Sequence, residues 1–270
     1  MTEGTMQIRW SSAQLIDLSV PLGPSPSENV PVTVEPFPHQ CGGAHLAELV
    51  GVPQSMLVDG LGWASERIQA ITHSSTHVDA PHHYAPCCAG RKSLTIDEIP
   101  LDWFWGPGIC LDISQGGKEP LTVDEFHEAE CAGGVRIRSG DIVLFRTGAE
   151  EHYGKPGFNR LGRGLTSGVV LLLAERGVRV FGTDAWSIDA SYPKMHERAS
   201  QYGPGAIWEA HFVGRDHAFC AIEKLTNLTR LPSSGFWIAC FPIKVLAGSA
   251  GWTRAVAFLP PATNPVHHIL

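Results

Sequence analysis

The chain has 270 residues, of which 43% are hydrophobic and 17% charged, so it is long enough to bury a sizeable core. Its formal net charge is −7 and it contains no basic run, which argues against nucleic acid or an anionic membrane as a partner. No stretch approaches about 18 uninterrupted apolar residues, so we expect no transmembrane helix.

Two features of the chain concern its cellular compartment. Residues 1–10 lack the basic and apolar regions of a signal peptide. The cysteines number seven, an odd count, and none of them forms a CxxC pair, which favours reduced thiols over a disulfide framework. We therefore expect a cytoplasmic protein.

The first 40 residues predict a short strand followed by a proline-rich arm. Residues 15–21 form an apolar run that ends at a proline, as a strand would. Residues 23–38 are rich in proline and have no periodicity, so we expect a long loop that serves as a lid or a subunit contact. Three potential ligands follow closely, but no second cluster lies near them, and we assign no metal site to His39, Cys41 and His45.

The stretch from His73 to His83 holds four histidines and one aspartate. Imidazole and carboxylate are the ligands that suit Zn²⁺ or Mn²⁺. His77 and Asp79 are two residues apart, so they point to the same face of an extended chain, and a turn could return His73 to them. The small and rigid residues between them argue against a surface histidine tract.

A proline in this stretch extends the argument to the last two histidines. Pro81 disfavours the α region for the residue before it, so we expect the extended run to continue. His83 would then share the face of His77, whereas His82 would point away. The stretch therefore predicts a metal site with one histidine left for proton transfer.

The middle of the chain alternates strands and helices. Residues 109–113 and 141–147 predict buried strands, and residues 106–108 predict a turn. Thr122 followed by Glu125 predicts a capping box at the start of a helix. A second helix is expected from Thr166 to a C-terminal cap at Gly177, and a strand over residues 178–182. This strand–helix–strand order predicts a parallel βαβ unit, and no GxGxxG or Walker sequence accompanies it.

The segment after that strand carries two aspartates at a place where sites form in parallel sheets. Asp184 and Asp189 either orient ligands or only accept hydrogen bonds from backbone amides in a turn. Farther on, residues 207–213 favour a short helix and Gly214 a turn. Residues 235–241 and 254–259 predict two more strands.

Three phrases of the chain resemble one family, the metal-dependent cyclase hydrolases, which include bacterial kynurenine formamidase and isatin hydrolase. The family motif His-x-Gly-Thr-His-x-Asp-x-Pro-x-His is similar to His73, Ser75, Thr76, His77, Asp79, Pro81 and His83. The one departure is Ser75, where the family usually has glycine, and it can alter the local backbone. Two weaker resemblances follow. Gly182, Asp184, Ser187 and Asp189 resemble the family segment Gly-x-Asp-x-x-Ser-x-Asp. Residues 223–228 resemble its phrase Glu-x-Leu-x-Asn-Leu.

The resemblance implies an α/β fold in a single domain over residues 1–270, with mixed β-sheets and flanking helices, swivelling β/β/α-like and not Rossmann. It also implies a homo-oligomer, a dimer or a tetramer. The implied cofactor is a divalent metal, Zn²⁺ or Mn²⁺, with one or two ions per chain. The first ion would be held by His73, His77 and Asp79, and a second by Asp79 with His211 and Glu223. His83 would be the general acid and base, with His82 as its rival.

The implied reaction is hydrolysis of a C–N amide bond in a small molecule, either an aryl formamide or a cyclic amide or imide. Trp63 and Trp186, together with Trp103 and Trp105, either border an aromatic substrate or fill the core or a subunit interface. The alternative function is a metal-dependent small-molecule binder without catalysis, but a pure binder needs no spare base at His83. A zinc-stabilised structural domain would use clustered cysteines, and here they are scattered.

Overall fold

The computed structural model describes residues 12–261, so the expectation that residues 1–10 are not a signal peptide lies outside the described residues. The strands are β1 (Gln14–Asp17), β2 (Thr33–Phe37), β3 (Ser65–Gln69), β4 (His77–Asp79), β5 (Cys87–Cys88), β6 (Arg91–Lys92), β7 (Trp105–Asp112), β8 (Ile142–Arg146), β9 (Val180–Thr183), β10 (Cys220–Glu223), β11 (Phe236–Ala239), β12 (Ala250–Trp252) and β13 (Val256–Leu259). The helices are α1 (His39–Val50), α2 (Pro81–Tyr84), α3 (Val123–Gly133), α4 (Ser167–Glu175), α5 (Tyr192–Tyr202) and α6 (Glu209–Phe212).

One mixed sheet carries the fold. Its nine strands follow the order β1-β13-β11-β7-β8-β9-β10-β4-β12. β7 to β10 pair in parallel, whereas β4 is antiparallel to both of its neighbours. The parallel pairing of β8 with β9, on either side of α4 in the chain, confirms the predicted βαβ unit. The strand order also confirms the α/β prediction with a mixed sheet that is not a Rossmann sheet.

The core lies on both faces of this sheet because its central strands are buried on both sides. Along β8, Ile142 and Leu144 belong to one apolar cluster, and Val143 and Phe145 belong to the other. This alternation follows from the two-residue period of a strand. The second cluster includes apolar side chains of α3, α4 and α6, so these helices cover that face. Among the described residues, no helix combines the length and apolar character needed to cross a membrane.

The predicted helix boundaries are confirmed. At α3, the Thr122 hydroxyl accepts a hydrogen bond from the Glu125 amide at 3.4 Å, and the Glu125 carboxylate accepts one from the Thr122 amide at 3.0 Å. This reciprocal capping box satisfies two of the free amides at the helix start. Thr166 is the residue before α4, and Gly177, with a φ of +80°, lies just beyond its end.

Two predictions for loops are wrong. Residues 106–108 lie inside β7, where Gly108 pairs with Phe236 of β11. A Cβ atom at Gly108 would lie 2.2 Å from the Phe236 ring, so glycine serves close packing there and not a turn. The proline-rich arm contains strand β2, which pairs with β3 in a separate two-stranded ribbon. Such a ribbon tolerates Pro36 because an edge strand can leave an amide unpaired.

Candidate metal centre

The centre of the site is β4, which lies between β10 and β12 in the sheet. Its register places His77 opposite Glu223, the last residue of β10. Residues directly opposite each other project from the same face, and the Nε2 atom of His77 lies 3.7 Å from Glu223 Oε2. Val78 points into the core on the other face, as the alternation predicts, while Asp79 returns to the face of His77 with no exposed surface.

A turn at Ser74 and Ser75 returns His73 to the strand. Ser75 adopts a φ of +54°, and the Nδ1 atom of His73 lies 2.7 Å from Asp79 Oδ1. The Nδ1 atom of His77 faces the Ser75 carbonyl at 2.9 Å, which leaves Nε2 directed at the carboxylates. The histidines on either side of the turn therefore both approach Asp79.

The extended run does not continue through the proline as predicted. Ala80 is extended, but Pro81 starts the short helix α2, because proline at the first helical position sacrifices no helical hydrogen bond. His83 therefore reaches the site from a helical turn and not by strand parity. Its ring centroid lies 4.1 Å from that of His73 and 5.6 Å from that of His211.

His82, the rival of His83, takes no part in the site among the contacts of the described residues. Its amide donates a hydrogen bond to the Leu94 carbonyl at 3.0 Å. Its Nδ1 atom is buried without a hydrogen-bond partner. Of the two adjacent histidines, only His83 lines the cleft that opens onto the cluster.

His211 enters from α6 and completes the cluster. Its Nε2 atom lies 3.8 Å from Asp79 Oδ2 and 3.6 Å from Glu223 Oε1. Its Nδ1 atom lies 2.5 Å from Asp189 Oδ2, and Asp189 Oδ1 accepts a hydrogen bond from the Ala210 amide at 2.9 Å. Because Nδ1 contacts Asp189, Nε2 is the nitrogen that faces the other carboxylates. Asp189 thus both accepts backbone hydrogen bonds and orients a ring of the cluster.

Asp184, the other aspartate of that segment, has a different environment. Its carboxylate accepts hydrogen bonds from the amide and hydroxyl of Thr147, at 2.8 and 2.7 Å, and from the Gly148 amide at 2.8 Å. These contacts fix the loop after β8. Asp184 therefore accepts hydrogen bonds in a turn, as one alternative predicted, whereas Asp189 also contacts the His211 ring.

The charges of the cluster are coupled through Asp79. Burial favours its neutral form, but the rings of His83, His77 and His73 outweigh burial and hold its pKa well below the usual range. Burial likewise disfavours a charged His211, yet its hydrogen bond to Asp189 and the nearby carboxylates of Asp79 and Glu223 raise its pKa to about 10. The cluster therefore stabilises positive charge in a buried place.

The pKa of His83 is lowered and that of Glu223 is raised, opposite to the shifts of His211 and Asp79. Burial lowers the pKa of His83 to about 4, against the attraction of Asp79, so this ring is neutral at neutral pH. Burial, with Asp79 nearby, raises the pKa of Glu223. At neutral pH the His83 ring is therefore neutral and lies beside groups that favour a cation.

The donor atoms of the cluster fit a divalent metal ion. Those of His77, Asp79 and Glu223 lie within 4.8 Å of one another, and so do those of His73, Asp79 and His83. The Nε2 atom of His77 and both carboxylate oxygens of Asp79 are buried without a hydrogen bond of acceptable geometry. Buried polar atoms are normally satisfied, and this combination of imidazole and carboxylate suits Zn²⁺ or Mn²⁺.

A cleft of about 310 Å³ opens onto the cluster. Trp186 lines it as predicted, together with Trp208, which the sequence analysis missed. The Trp208 ring stacks on His211 with centroids 4.5 Å apart and meets His83 edge-on at 5.3 Å. Trp208 precedes α6 in a left-handed conformation with a φ of +59°, so helical spacing gave no signal for it.

The other predicted tryptophans do not reach the cleft in this chain. Trp63 is 44% exposed and contacts His45 edge-on. Trp103 lies against Arg179, and Trp105 packs on Trp237. Lys224, a second cleft residue that the sequence analysis missed, directly follows Glu223 and is buried.

Comparisons with known proteins agree on one relationship. The family model Cyclase matches residues 16–190. The kynurenine formamidase of Paracidovorax citrulli is 30% identical over 191 residues, which cover 70% of this chain and 76% of that protein. The isatin hydrolase of Roseibium aggregatum is 27% identical over 207 residues, which cover 70% of this chain and 73% of that protein. The structure of isatin hydrolase A from Ralstonia solanacearum superposes with a TM-score of 0.72 at 25% identity, covering 92% of this chain and 93% of that one.

Proposed function

The chain belongs to the cyclase family of hydrolases, and from this premise we propose that it is a metal-dependent amidohydrolase acting on a small aromatic or cyclic amide. The observation that carries this proposal is the set of buried His77 and Asp79 atoms that lack hydrogen bonds beside Glu223. Two relatives that act on amides, a kynurenine formamidase and an isatin hydrolase, support the reaction class.

We propose that His73, His77 and Asp79 hold one divalent ion, and that Asp79 is shared with a second ion held by His211 and Glu223. Both carboxylate oxygens of Asp79 support this sharing, because Oδ1 lies 2.7 Å from the His73 ring and Oδ2 lies 3.8 Å from the His211 ring. Imidazole and carboxylate together favour Zn²⁺ or Mn²⁺.

His83 is the proposed general acid and base. A divalent ion in the site would lower the pKa of a bound water and polarise the substrate carbonyl. His83 is neutral at neutral pH, so a ring nitrogen can accept a proton from the attacking water and return it to the leaving nitrogen. Its ring lines the cleft, whereas the ring of His82 does not.

The substrate is held, in this proposal, between two aromatic walls. Trp186 and Trp208 line the cleft, and flat aromatic faces suit an aryl formamide or a cyclic amide such as isatin. The cleft volume of about 310 Å³ lies at the lower end of the range for small-molecule sites.

The test is a turnover assay on protein loaded with Zn²⁺ or Mn²⁺, offered N-formylkynurenine and isatin in parallel. Release of formate would identify an arylformamidase, and ring opening would identify a cyclic amide hydrolase. The variant His83→Ala should retain metal, measured by elemental mass spectrometry, and lose at least about 100-fold in kcat. Loss of metal in this variant would make His83 a ligand. No turnover with either substrate in metal-loaded protein would favour the binding-protein alternative.

The ion count has its own test. Glu223→Ala should reduce the metal content from two ions to one per chain, because Glu223 is a proposed ligand of the second ion only. An unchanged count in this variant would contradict the two-ion proposal. One ion in the unaltered protein would do the same.

We further propose a homo-oligomer, a dimer or a tetramer, assembled through residues 30–71, which include part of the proline-rich arm. Half of the large apolar side chains that are exposed in the described residues belong to this segment: Val30, Leu49, Val50, Met56, Val58, Leu61, Trp63, Ile68 and Ile71. Such density is typical of an association surface. Sedimentation of the unaltered chain and of the variant Met56→Glu/Val58→Glu tests this proposal, since the charged variant should form a smaller assembly.

We also propose a cytoplasmic location, which the seven free cysteines support.

A further inference from the structure

Two residues beside the proposed ligands adopt left-handed backbone conformations although neither is glycine. Ser75, between His73 and His77, has a φ of +54°, and Lys224, directly after Glu223, has a φ of +59°. For residues with a Cβ atom such conformations cost free energy and persist only when the surroundings enforce them. The two positions are linked, because the Thr76 hydroxyl donates a hydrogen bond to the Lys224 carbonyl at 2.6 Å.

Glu28 connects the same two residues from the N-terminal segment. Its Oε1 atom accepts a hydrogen bond from the Ser75 amide at 2.8 Å, and its Oε2 atom accepts one from the Lys224 ammonium at 2.8 Å. The side chains of Glu28 and Lys224 are only 3% and 1% exposed. A buried ion pair of this kind contributes little net stability compared with apolar packing, so stability alone does not account for it.

The Lys224 ammonium is held by protein groups around the turn. Besides Glu28, it donates to the His73 carbonyl at 2.9 Å, and it lies 3.8 Å from the centroid of the Trp186 ring. Two of its three N–H donors are thus bonded to protein oxygens, and the cation also contacts an aromatic face. Lys224 therefore acts on the backbone of a proposed ligand.

We propose that the Glu28–Lys224 ion pair is a positioning device for the metal centre. It fixes the backbone from His73 to Ser75 and so presents His73 and His77 to the ion. The pair thereby ties the N-terminal segment, about 45 residues upstream, to the ligands of β4. This inference rests on the proposed function, since it takes His73 and His77 as ligands.

The test compares Glu28→Gln and Lys224→Met with a matched control, Glu130→Gln. Glu130 is another buried carboxylate in an ion pair, 2.7 Å from Arg176, but it lies on α3 and not at the metal centre. Two quantities are measured: Zn²⁺ affinity by competition with a chromophoric chelator, and hydrogen exchange of residues 72–78 in metal-free protein. Each variant of the pair should weaken Zn²⁺ binding about 10- to 100-fold and accelerate exchange in that segment. The control should change neither by more than about twofold.

The double variant Glu28→Gln/Lys224→Met separates positioning from stability. It leaves no unpaired buried charge, so it should fold even where a single variant does not. If the pair positions the ligands, the double variant should still bind Zn²⁺ about 10- to 100-fold more weakly than the unaltered protein. If the pair is purely structural, its Zn²⁺ affinity should return to that of the unaltered protein. Adding Ser75→Gly to Glu28→Gln should restore part of the affinity, because glycine adopts the required φ without strain.

The outcomes distinguish this inference from the proposed function. Unaltered protein that binds neither Zn²⁺ nor Mn²⁺ would overturn the proposed function, while hydrogen exchange would still decide the role of the pair. Unchanged exchange in residues 72–78 of Glu28→Gln and of the double variant would overturn the positioning role. Full affinity in the double variant would also overturn it.

Discussion

The hydrogen bond from His211 to Asp189 decides which nitrogen of His211 faces the metal centre. In Asp189→Asn one carboxylate oxygen becomes an NH₂ group. If that group replaces Oδ2, it faces Nδ1 of His211 and forces the ring proton onto Nε2, the atom that should bind metal. If it replaces Oδ1, it faces the Ala210 amide and sets two donors against each other.

Either arrangement loses a buried hydrogen bond with an ionised acceptor. Hydrogen bonds to charged groups contribute about 1.5–3 kcal/mol, and Asp189 is only 3% exposed, so little water can compensate. About 1.4 kcal/mol corresponds to a factor of ten in a binding constant, so metal affinity should fall about 10- to 100-fold. The loss should concern the ion held by His211 and leave the other in place.

The assay is a Zn²⁺ titration by calorimetry alongside urea denaturation of the metal-free protein. Asp184→Asn is the matched control, because Asp184 is equally buried but its carboxylate bonds the loop after β8. Both variants should lose stability, and only Asp189→Asn should lose metal affinity. Equal metal affinity in the two variants would refute the tautomer argument.

Three further predictions concern the cleft, a cap and the ion. Trp208→Ala should raise KM at least about tenfold in steady-state kinetics, because its ring lines the cleft, while Trp103→Ala, whose ring lies against Arg179, should not. Thr122→Ala should lower the free energy of unfolding by about 1 kcal/mol in urea without affecting metal affinity, and no loss would contradict the capping box. Chelation should lower the melting temperature reversibly, since a ligand at about 1,000 times its Kd stabilises by about 4 kcal/mol; an unchanged temperature would argue against a bound ion.

The sequence predicted the local part of the site better than its distant part. His73, His77 and Asp79 lie within seven residues, so side-chain parity and one turn sufficed to bring them together. His211 and Glu223 are more than 130 residues away, and only the family resemblance pointed to them. No local pattern states which strands pair, because pairing depends on the whole sheet.

His83 lies in the cleft beside the cluster, but the chain brings it there by a different path from the predicted one. Strand parity placed it beside His77, yet the chain turns into α2 at Pro81 and presents His83 from a helix. The rule that proline disfavours the α region applies to the residue before it, here Ala80, which is indeed extended. Proline itself is favourable at the first helical position, and that preference decided the conformation.

The secondary structure of residues 30–71 was not predicted, for a different reason. Strand β3 is exposed along its whole length and β2 along most of it, so neither shows the apolar alternation by which a half-buried strand is recognised. Helix α1 begins after Pro38 without a side-chain cap, and no capping signal announced it. An apolar surface that faces outward carries no periodic pattern toward the core of its own chain.

The direction of β4 explains how a short motif becomes a metal centre. β9 and β10 are parallel, so the segment with Asp189 and the end of β10 with Glu223 meet at one edge of the sheet. β4 runs the other way, and its first residue, His77, therefore lies at that same edge, directly after the turn that returns His73. A parallel β4 would have placed that turn at the far edge. A shift of one residue in its register would have exchanged His77 and Asp79 for Val78, so the register of β4 decides that the proposed ligands face the site.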